Sequence, residues 1–346
     1  MKAAVLHGQK CIRFEEIDRP VIQEDEVLVR VKATGICGSD IPRVLGTGAR
    51  YYPIVLGHEF SGEVAEVGAK AEGIKIGDRV AGAPLLPCHN CEDCYRGNYS
   101  QCKNYSFIGS RVFGSWAEYV KLPARNAVKL PEGVSYVEGA FFEPATVALH
   151  GLFVMGFRGG GDTAIVGMGT IGLLTLQWAK ILGAGRIFAF DIDEEKLDVA
   201  REYGADICLN TMDPGFREMV FKETGGRGIE WILETAGVEF TEKLSLEIAA
   251  NKGSVMYIGT PSKPITLTPR EFEHMNRKEL TVRGSWMSYS APFPGREWEL
   301  AGRYFEKGQI RIDKLIDRII PLSEIGKAFE DLEVPGRVKG KIILEG

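Results

Sequence analysis

The segment "DTAIVGMGTIGLLTLQWAKILGAGRIFAFD", Asp162 to Asp191, constrains the fold more than any other. An apolar run, Thr163–Val166, leads into Gly167, Gly169 and Gly172, spaced G-x-G-x-x-G. A long apolar helical stretch opens at about Ile171, and a second apolar run, "RIFAFD", ends in Asp191. In such a turn the first glycine permits the tight bend. The second lets backbone approach a pyrophosphate, and the third lets helix and strand pack closely. The helix start, with Thr170 and Ile171, offers unpaired N–H groups to phosphate oxygens. Asp191 follows Gly172 by 19 residues. A carboxylate there, beside Ile192, accepts hydrogen bonds from ribose hydroxyls and repels a 2′-phosphate, which favours NAD over NADP. The competing reading is a glycine-rich turn followed by a helix-capping aspartate.

The rest of the chain fits around this unit. At 346 residues it is long for one core, and two domains are expected. After Asp191, "IEWILETAG", "GSVMYIG" and "ELTVRGS" are further buried strands with helical stretches between them. Strand and helix alternating at this spacing predict a parallel, doubly wound sheet. The first 145 or so residues differ. "EVLVRVKATGICGSD", "EFSGEVAEVGA", "GDRVAG" and "WAEYVKL" alternate apolar and polar residues between glycine breaks, as short strands do. Beyond Trp286 a helix is expected over Pro294 to Lys307, and a last strand in "KGKIILEG". The expected division is a β-rich domain over residues 1–150, a dinucleotide-binding domain over 151–288, and a return to the first domain over 289–346.

The loop "PLLPCHNCEDCYRGNYSQC" holds Cys88, Cys91, Cys94 and Cys102, spaced C-x2-C-x2-C-x7-C. Two disulfides are disfavoured, because nothing points to export. The apolar run near the N-terminus covers only Ala3 to Leu6, where a signal peptide needs about 7–15 residues. The longest apolar stretch, Ala140 to Phe157, is broken by Glu143, Pro144 and His150, so no membrane span is expected. A cytoplasmic location keeps thiols reduced. A ferredoxin-type cluster would need a shorter last gap and a proline after the final cysteine, where Lys103 stands. Four thiolates suit a structural, tetrahedral Zn²⁺. His89, inside the loop, is expected to be a solvated loop residue. A net charge of −5 argues against a nucleic acid or an anionic membrane as partner.

A second constellation is more open. Cys37 lies in "GICGSD", His58 and Glu59 in "VLGHEF", and Glu143 in "FFEPAT". Three such ligands with an open position would make a catalytic zinc site. The alternative is a buried cysteine, a cap and two ion-paired glutamates.

"GHEFSG", "CGSD", the four-cysteine loop and "GMGTIG" followed by Asp191 occur in that order along the chain. Together they resemble the zinc-dependent medium-chain alcohol and polyol dehydrogenases. "GARYYPIVLGHEFSG", "FIGSR" and "ELTVRGSWMSYSAPFPGREWE" are most similar to the polyol-phosphate branch, with looser similarity to the sorbitol and threonine branches. The resemblance implies an α/β protein, with a GroES-like β-rich catalytic domain and a Rossmann doubly wound parallel-sheet domain. It implies two Zn²⁺ per chain, one catalytic and one structural, NAD as hydride acceptor, and a homodimer or homotetramer.

By the same resemblance Cys37 and His58 would hold the catalytic zinc, with Glu59 or Glu143 as the carboxylate ligand. Ser39 would touch the substrate hydroxyl. Asp40 would hold the far nitrogen of His58, and Lys196 the adenine ribose. Many relatives end the proton relay in a histidine where this chain has Pro42, so the relay from Ser39 would run through the nicotinamide ribose to water. His7, His150 and His274 read as structural. The implied reaction turns a secondary alcohol of a polyol phosphate into a ketone. Free polyols, or less favourably threonine, are the alternative substrates, and a zinc-lobed binding protein without turnover is an alternative of another class. A phosphate would dock on Arg43 or Arg111, unless both arginines form surface ion pairs. Tyr51 and the loop Trp286 to Tyr289 would complete the wall.

Overall fold

The computed structural model describes residues 1–346, which divide into two compact units. Pro144–Met287 forms one; Met1–Glu143 together with Ser288–Gly346 forms the other. The first division falls inside the helix Phe142–Met155, earlier than the boundary at 150 expected from the sequence. The apolar run that suggested a later boundary is that helix, whose first residues pack with the first unit.

The Pro144–Met287 unit carries a six-stranded, wholly parallel sheet. Across it the strands run Ile207–Asn210, Ala184–Asp191, Gly160–Val166, Ile229–Glu234, Ala249–Tyr257 and Thr281–Gly284. Strand order reverses direction between Gly160–Val166 and Ile229–Glu234. In such sheets ligands bind at the strand ends beside this switch point. The central strands are covered on both faces, which is why they read as unbroken apolar runs. Ala164, Val166, Phe188, Phe190, Ile232 and Val255 share one buried cluster.

The other unit is built mostly from antiparallel strands, with one parallel pair, Ile316–Pro321 with Lys341–Glu345. Glu26–Gly35 pairs with Glu59–Val67, with Tyr119–Pro123 and with the C-terminal strand Lys341–Glu345. The last pairing sets Ile343 opposite Gly35, while Gly35 also faces Glu59. The chain's end is thereby stitched beside residues 35–59. A small sheet, Leu85–Leu86 with Ser106–Phe107, lies at the root of the four-cysteine loop. The expected late helix runs Arg296–Glu306. No helix is long and apolar enough to cross a membrane.

Candidate active site and metal centres

The strand Glu26–Gly35 ends in a short turn that presents Cys37, Ser39 and Asp40. The turn is self-capped: the Cys37 sulfur accepts from Ser39 N at 3.5 Å, and the Asp40 carboxylate accepts from Cys37 N at 3.1 Å. Pro42 sits in the first turn of the helix Ile41–Leu45, where a missing N–H costs nothing. His58 enters from the opposite side, after Gly57 at φ +93°. A Cβ at Gly57 would collide with the Trp116 ring and Ser115, so only glycine permits this approach.

The ligand atoms of Cys37, His58 and Glu59 all lie within 4.8 Å of one another. His58 Nδ1 is buried without a hydrogen-bond partner, and Asp40 Oδ1 stands 3.6 Å from it. A carboxylate behind a histidine is the arrangement that metal-ligating imidazoles use to fix their tautomer. The donor set of sulfur, imidazole and carboxylate fits a catalytic zinc. Glu143 is not among the three grouped atoms, yet its charge reaches Cys37. Burial first, then the charges of Glu59 and Asp40, push the Glu143 carboxyl up to about 7, while His58 opposes the rise. Burial and then the Glu59 charge likewise push the Cys37 thiol up. Acids crowded in this way favour cations among them.

One cation is already present, and it was not foreseen from the sequence. Lys341 Nζ donates to both oxygens of Glu59, at 2.8 and 2.6 Å, and to Ile36 O at 3.3 Å. Lys341 is 6% exposed and Glu59 1%. The only hint was a second lysine inside the predicted terminal strand "KGKIILEG". Arg43 is engaged as well: its Nη1 donates to Ser39 Oγ at 2.8 Å and to Asp40 Oδ1 at 3.1 Å. Ser39 Oγ in turn lies 3.3 Å from the Cys37 sulfur. Arg111 donates to Tyr105 O at 2.8 Å, with its guanidinium 3.7 Å above the Tyr105 ring. Tyr51 donates to Arg111 O at 3.3 Å. Trp286, in the other unit, is half exposed. His7 bonds to Glu15, and His274 lies on the helix Pro269–Arg277.

The four-cysteine loop gathers its sulfurs around one point. Cys88 lies 3.4 Å from Cys102 and 4.0 Å from Cys94, and Cys91 lies 3.9 Å from Cys102. A tetrahedral ion with Zn–S bonds of ~2.3 Å would space its sulfurs by about 3.8 Å. A disulfide would bring two of them to about 2 Å. Backbone N–H groups of Cys94 and Lys103 pull the Cys91 thiol down to about 6, whereas burial pushes the Cys94 and Cys102 thiols up. The loop fits zinc. His89 corrects an expectation: it is not a solvated loop residue. Its ring packs between Tyr99 and Phe293 at 5.6 and 5.4 Å.

In the parallel-sheet unit, Gly167 turns at φ +94° into the helix Thr170–Ile181, with Gly169 as its cap and Ile171 in its first turn. A Cβ at Gly172 would strike Gly167 O, whereas one at Gly169 would meet open space. Thr235, also unforeseen, donates to Gly167 O at 2.8 Å and Val166 O at 3.1 Å, pinning the turn. Asp191 accepts from the N–H groups of Met168, Ile192 and Asp193 at 2.6, 2.8 and 3.0 Å. Ile192 is exposed beside it, and Lys196 lies on the helix Glu194–Tyr203.

Known proteins are similar to this chain in sequence and in fold. Residues 23–132 match the alcohol dehydrogenase GroES-like domain, and residues 170–302 match the zinc-binding dehydrogenase family. The chain is 41% identical over 344 residues to galactitol 1-phosphate 5-dehydrogenase of Escherichia coli strain K12, covering 98% of this chain and 99% of that protein. It is 35% identical over 268 residues to sorbitol dehydrogenase of Bacillus subtilis, covering 76% of each. The crystal structure of galactitol-1-phosphate dehydrogenase from Escherichia coli superposes over 100% of both chains, with a TM-score of 0.95 and 40% identity. The chain thus belongs to the zinc-dependent medium-chain alcohol and polyol dehydrogenases and is an oxidoreductase.

Proposed function

We propose that this enzyme oxidises a secondary hydroxyl of a polyol phosphate to the ketose phosphate, with NAD as acceptor. The reaction type rests on one observation above the others: Cys37, His58 and Glu59 converge beside the exposed Ser39. The substrate class rests on the full-length likeness to galactitol 1-phosphate 5-dehydrogenase. The preference for NAD rests on Asp191 and on the absence of an arginine in "DIDEEK".

Cys37 and His58 would hold the catalytic ion, with Glu59 or Glu143 as the carboxylate; Cys88, Cys91, Cys94 and Cys102 would hold the structural one. When bound, zinc supplies Lewis acidity to a substrate hydroxyl and the nicotinamide supplies a hydride acceptor. This chain's own residues do the rest. Asp40 orients His58. Arg43 can only donate, so Ser39 Oγ accepts from it, and its remaining lone pair would take the substrate hydroxyl's proton as Ser39 gives up its own hydrogen. The side chains of Arg43 and Pro42 cannot accept a proton, so neither carries the relay on from Ser39. Much of the rate enhancement is positioning.

Each guanidinium has five N–H donors. Arg43 and Arg111 spend some of them on protein oxygens and keep others for an anion. An arginine can grip a phosphate through two parallel bonds. Dehydrogenation of free polyols is the second reading, favoured by the 35% identity to sorbitol dehydrogenase. Absorbance at 340 nm with NAD or NADP, across polyols, polyol phosphates and threonine, separates them. The proposal expects the fastest reduction from NAD with a polyol phosphate. A free polyol at least as fast would make the second reading right.

A further inference from the structure

We propose that the four-thiol lobe braces the catalytic centre through a run of aromatic rings, in which His89, Tyr99, Phe293 and Tyr289 are positioning residues. The inference rests on the zinc reading of both sites given above. His89 stands between Cys88 and Cys91 with φ +54°. Its ring meets Phe293 edge-on at 5.4 Å, and Tyr99, three residues before Cys102, meets Phe293 at 5.2 Å. Phe293 stacks on Tyr289 at 5.7 Å with an interplanar angle of 9°. The lobe also touches this loop through backbone: a Cβ at Gly97 would come within 2.7 Å of Ala291 Cβ.

Tyr289 is where the run reaches the site. It is 3% exposed, and its hydroxyl accepts from Leu85 N at 3.0 Å. Leu85 pairs with Phe107, whose ring meets His58 edge-on at 5.6 Å. The charge of Glu143, after burial, also raises the Tyr289 hydroxyl, so Tyr289 lies in the field of that carboxylate. Tyr289 further stacks on Trp298 at 5.9 Å, and Trp298 Nε1 donates to Ser288 O at 3.1 Å, which anchors the loop from behind. One buried ring therefore reaches His58 through Leu85 and Phe107 on one side and the lobe through Phe293 on the other.

The lobe is held by short-range backbone bonds, such as Tyr95 N to Cys91 O and Asn98 N to Asp93 O, and by its gathered sulfurs. Between Cys88 and Cys102 there is one short helix, Glu92–Tyr95, and one turn of 3₁₀ helix, Tyr99–Gln101. Four-sulfur coordination fixes where His89 and Tyr99 stand, and these two fix Phe293. Packed rings shift as a set, since an interior at crystal-like density cannot deform smoothly. Emptying the lobe would release Phe293, then Tyr289, and loosen the seats of His58 and Glu143.

The test compares Phe293→Ala, His89→Ala and the ring-retaining Phe293→Tyr with the unaltered holoenzyme. Readouts are zinc per chain, melting temperature, kcat and KM for alcohol and NAD, and the dipicolinate concentration that strips the more labile zinc. The brace predicts that both alanine variants keep two zinc ions. It predicts that they lose about tenfold or more in kcat, the scale of a displaced catalytic geometry, with KM for NAD unchanged. Their labile zinc should come off at several-fold lower chelator, and Phe293→Tyr should restore both values. If the alanine variants only melt earlier, with kcat and chelator midpoint as in the unaltered enzyme, the rings are core packing and the brace is wrong. Should Phe293→Ala fail to fold, His89→Ala, which leaves the loop 288–295 intact, decides by the same readouts. An unaltered, active chain holding a single zinc would instead overturn the metal reading beneath the proposal.

Discussion

Lys341 Nζ bonds both carboxylate oxygens of Glu59, at 2.6 and 2.8 Å, in a place almost closed to solvent. The two residues lie 282 positions apart in sequence. The strand Lys341–Glu345 brings them together by pairing with Glu26–Gly35. Without Lys341, Glu59 would add an unpaired buried charge to a site that already holds Asp40 and Glu143. Removing one partner of a buried pair costs about 3–5 kcal/mol. Lys341→Met should therefore lower the unfolding free energy by about that much in urea titrations. Lys341→Met with Glu59→Gln should recover most of the loss. Equal stability of Lys341→Met and the unaltered chain would show that Glu59 is balanced by something else.

The two zinc sites should separate by mutation. Cys102→Ser should lose one zinc and much stability, because structural zinc contributes folding free energy directly. Cys37→Ser should lose the other zinc and activity while melting near the unaltered enzyme. Elemental analysis of the two variants checks this. Loss of both ions from Cys37→Ser would contradict separable sites.

Arg43 and Arg111 should not behave alike. Arg111→Ala should lower kcat/KM for a polyol phosphate by about tenfold or more, as expected for one hydrogen bond to a charged group at roughly 1.5–3 kcal/mol. It should leave the free polyol nearly unchanged. Arg43→Ala should slow both substrates, because Arg43 also orients Ser39 and Asp40. If Arg111→Ala weakens both substrates equally, it does not read the phosphate.

Glu234 gives a pH signature in the parallel-sheet unit. One of its oxygens accepts from Ala236 N, Gly237 N and Thr241 Oγ1 at 2.9, 2.8 and 2.7 Å, while the other is buried without a partner. Burial, outweighing those three bonds, raises its carboxyl above the ordinary 4.5. Between the ordinary and the raised value the folded state binds more protons than the unfolded state. Stability from this group is then full at low pH and is lost as pH rises through the folded value. Glu234→Gln removes that loss. The melting temperature of Glu234→Gln minus that of the unaltered chain should grow more positive from about pH 5 to pH 8. A difference that stays flat with pH would refute the raised value.

Local pattern carried the dinucleotide turn and the cysteine loop. Gly167, Gly169, Gly172 and Asp191 sit within one strand–helix–strand unit, and the four sulfurs within one loop, so short-range spacing encodes their geometry. The contacts of Lys341, Tyr289 and Thr235 were not legible for the opposite reason. Each acts on a partner far away in sequence: Glu59, Leu85 and Gly167. Such contacts depend on which strands pair, and a single sequence does not print that. His89 was misjudged because a polar residue in a glycine- and asparagine-containing loop reads as solvated. Its neighbour Tyr99 lies ten residues on in the same loop, and Phe293 comes from a distant segment.

The central claim is that a metal held at Cys37 and His58 lets this chain reduce NAD with a polyol phosphate. The direct measurement is NADH formation from galactitol 1-phosphate and from galactitol, on enzyme as purified, after dialysis against a chelator, and after zinc is returned. The account predicts turnover that falls on dialysis and returns with zinc, and kcat/KM at least about tenfold higher for the phosphate ester, the scale of one charge-assisted hydrogen bond. Turnover that survives complete loss of zinc, or equal kcat/KM for both alcohols, would contradict it.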